Sequence, residues 1–211
     1  MLIGLTGLYC SGKNHIAMLL EKRGLPVLDV DKLGHTALEN LKEAVFGHFG
    51  NDVRNPDGSV NRRLLGEKVF GKNGELAALE AIVHPEANRL TKEWVEAQNG
   101  KNCVINAALL HKSLFFDRLG CIILVSAPWI VRLIRAKRRD NLPLTVLINR
   151  LSSQKQFNAQ YFAGKADIYK VKNPGIGKPE HRLECRIDAI LASIDAASLM
   201  QEKTGSRAET V

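Results

Sequence analysis

The run Gly7-Leu-Tyr-Cys-Ser-Gly12-Lys13 has the residue types and spacing of a phosphate-binding loop. Gly7 and Gly12 would let the backbone curl so that successive N–H groups converge on phosphate oxygens. A helix starting at Lys13 would add the positive end of its dipole, and Lys13 would reach the outer phosphates of a bound nucleotide. The competing reading is a Gly-rich turn between core elements. One position departs from the usual chemistry. Asn14 stands where a Ser or Thr hydroxyl normally ligates Mg²⁺. An amide oxygen is also a hard ligand, but Asn is longer and octahedral Mg²⁺ is strict. Asn14 is therefore a metal-ligand candidate or a tolerated residue in a first helical turn. Cys10, beside the same helix start, raises the alternative of a low-pKa redox thiol.

Asp29 and Asp31 follow at the end of a short apolar run, Pro26-Val-Leu-Asp29. Phosphoryl transfer needs one carboxylate to orient or deprotonate the attacking hydroxyl, and Asp31 is the candidate. By position alone it is equally a helix cap. Farther along, Arg132, Arg135 and Arg139 recur at spacings of three and four, on one helical face. Arg150 and Gln154 share a face beyond the turn Asp140-Asn-Leu-Pro143. Two basic helices joined by a short turn can close over a triphosphate and stabilise charge on the transferred group; a solvated charged face is the bland alternative. His84-Pro85 reads as a helix start, because proline suits the first turn, and this puts His84 at an N-terminal end where anions bind. A structural role is its other reading. The other histidines show no metal-ligand spacing.

These residues need a scaffold. Short apolar runs at 2–6, 26–29, 102–106, 120–125 and 167–171 read as strands. Helical rhythm follows from Lys13 to Gly24, from Asp31 to Val45, from Trp129 to Arg138, from Pro143 to Gln154 and from Leu183 to Leu199. Strands alternating with helices predict a parallel sheet covered on both faces, with its ligand crevice at the carboxyl ends of the strands. Gly7, Asp29, Asn106 and Ala127 fall at such ends. Between them, residues 50–100 hold a turn signal, Asn55-Pro-Asp-Gly58, and helical segments near 61–70, 74–82 and 85–98, without a strand. The predicted organisation is a core of 1–49 and 101–200, a helical insertion of 50–100 and a polar, frayed tail of 201–211.

Composition sets bounds. Hydrophobic residues make up 45% of 211 and charged residues 25%, an ordinary globular balance able to bury a full core. The formal charge of +8 favours anionic partners. No aromatic platform or recognition module supports nucleic acid as that partner. None of the four cysteines forms a CxxC pair, which argues against a zinc site, and Cys103 and Cys121 read as buried thiols. No leader-like start and no run of ~20 apolar residues points to secretion or a membrane, so the chain reads as cytoplasmic.

Taken together, the chain resembles the dephospho-coenzyme A kinase family from about residue 1 to 195. The resemblance is carried by Ile3-Gly-Leu-Thr-Gly7 with Ser11-Gly-Lys13, Val27-Leu-Asp-Val-Asp31, Pro56-Asp-Gly58, His84-Pro85, Leu109-Leu110, Arg135 with Arg139-Asp140, Arg150 with Gln154, and Ala166-Asp167 with Asn173. It implies an α/β P-loop kinase fold of three layers: a five-stranded parallel sheet, a helical coenzyme-binding region around 50–100 and an ATP lid around 135–155. It implies transfer of the γ-phosphoryl of ATP, with Mg²⁺, to the ribose 3′-hydroxyl of dephospho-CoA. Carried over by position, Lys13, Asp31 and Arg139 are catalytic, and Cys10, Ser11, Gly12, Lys13, Asn14, His15, Arg135 and Arg139 hold ATP. Asp31, His35 and His84 face the acceptor, and Asn14 and Asp31 face the metal.

The departures cluster. The family's Ser-Thr after the lysine is Asn14-His15, a loop glycine is Cys10, the arginine closing the Asp-x-Asp segment is His35, a strand-end aspartate is Asn106, and a Phe-Glu pair is His111-Lys112. Positions 14 and 106 both fall on the metal side, which predicts weak Mg²⁺ affinity or a changed metal preference. Two alternatives follow: a nucleotide-binding homologue with impaired catalysis, and a kinase for another small hydroxylated metabolite.

Overall fold

The computed structural model describes residues 1–154, 161, 166–175 and 180–208. Five strands appear where the apolar runs predict them: β1 (Leu2–Gly7), β2 (Val27–Asp29), β3 (Cys103–Asn106), β4 (Cys121–Ser126) and β5 (Asp167–Lys172), in the sheet order β2-β3-β1-β4-β5. The pairings of β1 with β3, β1 with β4, and β4 with β5 are parallel. β1 and β4 are almost wholly buried, as expected for parallel strands covered on both faces. The register sets Leu5 beside Asn106 and Gly7 beside Val125, so Gly7 and Asn106 end their strands on the same edge of the sheet. This is the α/β, five-stranded parallel architecture anticipated above.

Eight helices are described: α1 (Lys13–Glu21), α2 (Val30–Asn40), α3 (Lys42–Phe49), α4 (Arg62–Val69), α5 (Asn73–Ala97), α6 (Trp129–Asp140), α7 (Leu144–Ser152) and α8 (Glu180–Ala208). No helix among the described residues is long and apolar enough to cross a membrane. The chain forms two compact units, Leu28–Asn99 and the remainder, with the boundary inside β2. The helical unit thus starts at Leu28, not at residue 50. In the sheet unit, Ile16, Leu19 and Leu20 of α1 and Ile187, Ile190 and Ile194 of α8 pack with Ile3, Leu5, Ile123 and Val171. Cys103 and Cys121 are buried, as expected, and burial pushes the Cys121 thiol up to about 12. In the helical unit, Leu38, Val45, Phe46, Phe49, Val53 and Leu65 form a separate core. The predicted turn at Asn55-Pro-Asp-Gly58 is present, closed by Asn55 N–H to Ser59 O at 2.9 Å.

Four local expectations are corrected. Asp29, not Asp31, caps α2: its Oδ1 accepts from Lys32 N–H at 3.2 Å, and Asp31 lies in the first turn. The helical run to Val45 breaks at Leu41, which lets Leu38 on one helix and Val45 and Phe46 on the next reach the same core. His84-Pro85 does not start a helix, because α5 runs through Pro85 without interruption. The lost N–H costs local stability, but Leu79, Ile82 and Val83 before the proline pack on the core, and Asn40 Nδ2 bonds Glu86 Oε1 at 2.9 Å just after it. The final helix, α8, extends to Ala208 rather than closing at Leu199. Residue 155 of the expected lid and residues 209–211 lie outside the described residues.

Candidate active site

The sheet unit contains the phosphate loop and the basic helices. After β1 the backbone curls through two left-handed residues, Cys10 (φ 58°) and Gly12 (φ 91°), and Gly12 caps α1 without a side-chain bond. Ser11 N–H closes the turn to Leu8 O at 2.9 Å. The first-turn amides of a helix have no intrahelical carbonyl, so this curl and the start of α1 together form an anion cradle.

The loop carbonyls are tied from behind. Arg135 Nη1 donates to Ser11 O at 3.1 Å and to Cys10 O at 3.5 Å, and Asn173 Nδ2 donates to Ser11 O at 3.1 Å. Arg135 Nη2 in turn bonds Asn173 Oδ1 at 3.1 Å, and Asn173 N–H bonds Ser126 O at 2.7 Å. This pair holds the carbonyls of Cys10 and Ser11 on the side away from the turn that Ser11 N–H closes. A Cβ at Gly12 would collide with Asn173 Nδ2 in a backbone conformation that L-residues disfavour. Gly12→Ala is therefore expected to cost about 2 kcal/mol and to lower Tm by roughly 4–8 °C in a thermal melt. A drop below about 1 °C would show that the loop relaxes away from Asn173.

The arginine face of α6 runs from buried Arg132 through half-buried Arg135 to exposed Arg139. Arg132 is 5% exposed, and burial lowers its pKa. Its Nε donates to Tyr9 O at 2.8 Å, and its Nη2 donates to Gln154 Oε1 at 3.0 Å. The same Gln154 oxygen accepts Tyr9 N–H at 2.8 Å. Arg139 lies over the Tyr9 ring, 5.0 Å from its centroid, and bonds Asp140 through Nε at 2.7 Å. The Arg139 guanidinium holds the Asp140 carboxyl below its usual range. Arg132 and Arg135 thus bond carbonyls of the loop itself. His15, Arg135, Lys172, Asn173 and Arg186 line a cavity of about 590 Å³ next to Gly12.

Lys13 is half-buried and Asn14 exposed at the start of α1. Asn106 is 1% exposed, and its Nδ2 approaches Asn14 Oδ1 at 3.5 Å. The sequence marked these two positions as jointly altered, and the structure brings them together. Asn106 Oδ1 and Ser11 Oγ are buried without a protein partner among the described residues. Buried oxygens are seldom left without a donor, so these two call for a water, an ion or a ligand group, or hold local strain. The redox reading of Cys10 does not hold: burial raises its thiol pKa, outweighing Arg139, Arg132 and Arg135.

The remaining predicted residues belong to the helical unit. Asp31 and His35 are exposed on α2, and His84 is exposed in the middle of α5. Arg62 Nη1 donates to His35 Nδ1 at 2.9 Å, which fixes that ring nitrogen as an acceptor. His35, Glu39, Asn61, Arg62 and Arg63 line an open cavity of about 650 Å³. His84 is not at a helix end, so the anion-binding argument for it falls away.

Tyr9, and the loop-supporting role of Asn173, were not read from the sequence as site features. Tyr9 sits at a variable loop position, and Asn173 lies more than 160 residues from the loop it supports. Asn173 had one local signal, a polar residue directly after a strand at the ligand edge of a parallel sheet.

Comparison with known proteins agrees with this geometry. A family model described as dephospho-CoA kinase matches residues 1–170. The dephospho-CoA kinase of Halalkalibacterium halodurans is 34% identical over 166 residues, 76% of this chain and 83% of its own length. That of Anaeromyxobacter dehalogenans is 34% identical over 198 residues, 91% of each chain. The crystal structure of TT1252 from Thermus thermophilus is 33% identical, with a TM-score of 0.77 over 92% of this chain and 97% of that one. A dephospho-CoA kinase structure from Campylobacter jejuni, at 23% identity and a TM-score of 0.61, shares the fold. Loop, sheet order and relatives agree: the chain belongs to the dephospho-CoA kinase family.

Proposed function

We propose that this protein transfers the γ-phosphoryl group of ATP to the ribose 3′-hydroxyl of dephospho-CoA. The observation that carries the reading is the curled, back-tied loop ahead of α1 in a chain of this family. Loop amides from Cys10 to Asn14 and the Lys13 ammonium grip the outer phosphates. Arg139 meets the transferred group from α6, and the cavity beside His15 and Arg135 takes the nucleoside end. Asp31 accepts the proton of the attacking hydroxyl, and His35 with Arg62 faces the anionic coenzyme portion. His84 stands on the same helical unit without an assigned step. The phosphate-side and acceptor-side residues belong to different compact units. The lid spans about 135–155, and the helical unit is the coenzyme-binding region. The four free cysteines fit a reducing compartment such as the cytoplasm.

Mg²⁺ is the expected cofactor. Asn14 and Asn106 offer oxygen ligands suited to a hard cation, and the orphaned Asn106 Oδ1 is an acceptor that no protein donor meets among the described residues. Asn14 would hold it along with phosphate oxygens and water. The ion would neutralise charge on the β- and γ-phosphates. Two neutral amides beside the loop lower the charge available to the metal, because affinity for hard cations rises with ligand charge.

The test is ATP turnover dependent on dephospho-CoA, followed across a Mg²⁺ titration. Turnover is expected, with half-saturation at millimolar free Mg²⁺. Saturation at micromolar Mg²⁺ overturns the weak-metal reading. Nucleotide binding without turnover, even at high Mg²⁺ or Mn²⁺, leaves the catalytically impaired homologue, which the Asn14–Asn106 pair specifically favours. Turnover with another hydroxylated acceptor in place of dephospho-CoA leaves the third reading.

A further inference from the structure

Tyr9 has more contacts than a spacer in a phosphate loop needs. Both sides of its peptide are held: its N–H by Gln154 Oε1 at 2.8 Å, its carbonyl by Arg132 Nε at 2.8 Å. Arg132 and Gln154 are themselves joined at 3.0 Å, so the Tyr9 backbone is fixed from two directions. Its side chain then does two things at once. The ring lies under the Arg139 guanidinium, 5.0 Å away, and the hydroxyl donates to Asp140 Oδ2. Arg139 grips the same carboxylate through Nε at 2.7 Å and Nη2 at 3.3 Å, and Arg150 Nη1 stands 4.0 Å from it.

We infer that Tyr9 is a positioning residue for Arg139: its ring carries the guanidinium at the mouth of the loop, and its hydroxyl retains Asp140 when the arginine turns to phosphate. This rests on the proposed phosphate role of Arg139. The Arg139 side chain is 61% exposed, so an incoming anion can reach it. An exposed arginine on the last turn of a helix would ordinarily sample many rotamers, and ordering it on a ligand costs up to about 2 kcal/mol. The aromatic platform removes part of that cost in advance, since a cation over a π face is held without using its N–H donors. Two of those donor groups, Nε and Nη2, bond Asp140. A polyphosphate in the loop competes for them with more charge than one carboxylate. When Arg139 changes partner, Asp140 keeps the Tyr9 hydroxyl and the nearby Arg150, so the half-buried carboxylate is not left alone. The anchored backbone matters because Tyr9 is part of the loop: the platform is fixed relative to the amides that hold the phosphate.

The test compares binding of inorganic triphosphate and of MgATP to the full chain by calorimetry, with kcat and KM alongside. Arg139→Gln is expected to weaken triphosphate binding at least tenfold, of the order seen for a charge-assisted contact. Tyr9→Leu is expected to weaken it about fivefold, and Tyr9→Phe, which keeps the ring, about twofold or less. The double variant Tyr9→Leu with Arg139→Gln should bind no worse than Arg139→Gln alone, because Tyr9 acts through the arginine. Losses that add in the double variant overturn the inference and leave the phosphate role of Arg139 standing. Unchanged binding in Arg139→Gln overturns both. If Tyr9→Leu does not fold, Tyr9→Phe and Tyr9→Trp decide: the stronger Trp face should bind triphosphate at least as tightly as Phe, and Trp binding at least fivefold weaker overturns the inference.

Discussion

Lys13→Ala is expected to lower kcat/KM for ATP by roughly a thousandfold, the scale found when a preorganised charge-stabilising donor is removed from a transition state. The fold should survive. Lys13 is half-buried at the first position of α1, and the apolar anchors of that helix are Ile16, Ala17, Leu19 and Leu20. Alanine is a good helix former at such a position. The melting temperature should therefore stay within about 2 °C of the parent, and circular dichroism beside steady-state kinetics checks both halves. Most of the loss should appear in kcat, because charge gathers on the bridging and γ oxygens only as the phosphoryl group leaves. A loss smaller than tenfold would mean that polyphosphate is not gripped at this loop.

Asp31→Asn is expected to cost kcat a factor of about a thousand with little change in KM for ATP, within the range assigned to a general base. The amide keeps the size and shape of the carboxylate but is neutral and cannot take a proton. The substitution is a clean probe because the capping role belongs to a different residue, Asp29, whose Oδ1 holds Lys32 N–H. Losing one negative charge from the first turn of α2 should cost only about 0.5 kcal/mol of stability. A pH–rate profile separates the roles: a base loses its acidic limb on conversion to Asn, whereas a metal or phosphate contact leaves the limb in place. An Asp31→Asn enzyme with kcat near the parent's removes the carboxylate from the mechanism.

β1, β2 and β3 were legible because each is a short apolar run ending in a glycine, aspartate or asparagine, and β4 because it is apolar almost throughout; β5, with charged residues and only Val171 buried, carries the weakest pattern. The loop was legible because two glycines and a lysine at that spacing sit between such a strand and an amphipathic helix. Helix boundaries were less so. Pro85 looks like a start signal on its own, yet Leu79, Ile82 and Val83 ahead of it pack on the helical core and carry α5 through. Asp29 and Asp31 both suit a cap, and only the backbone φ and ψ of Asp29 decide between them. The arginine face of α6 was visible in its spacing, but its purpose was not. Whether an arginine meets solvent, a carbonyl or a ring depends on residues far along the chain, and no local pattern encodes that. Tyr9 escaped notice for the same reason. The pairing of Asn14 with Asn106 was foreseen only as two separate departures on one side of the site.

The hold that Arg135 and Asn173 keep on the carbonyls of Cys10 and Ser11 has a consequence for how this protein can be divided. The motif at the amino end looks self-sufficient, and the family match itself closes at residue 170, short of Asn173. Yet the shape of the cradle is underwritten from the opposite end of the polypeptide. A fragment chosen for its signature alone would hold every letter of the loop and lack the strut that keeps it open.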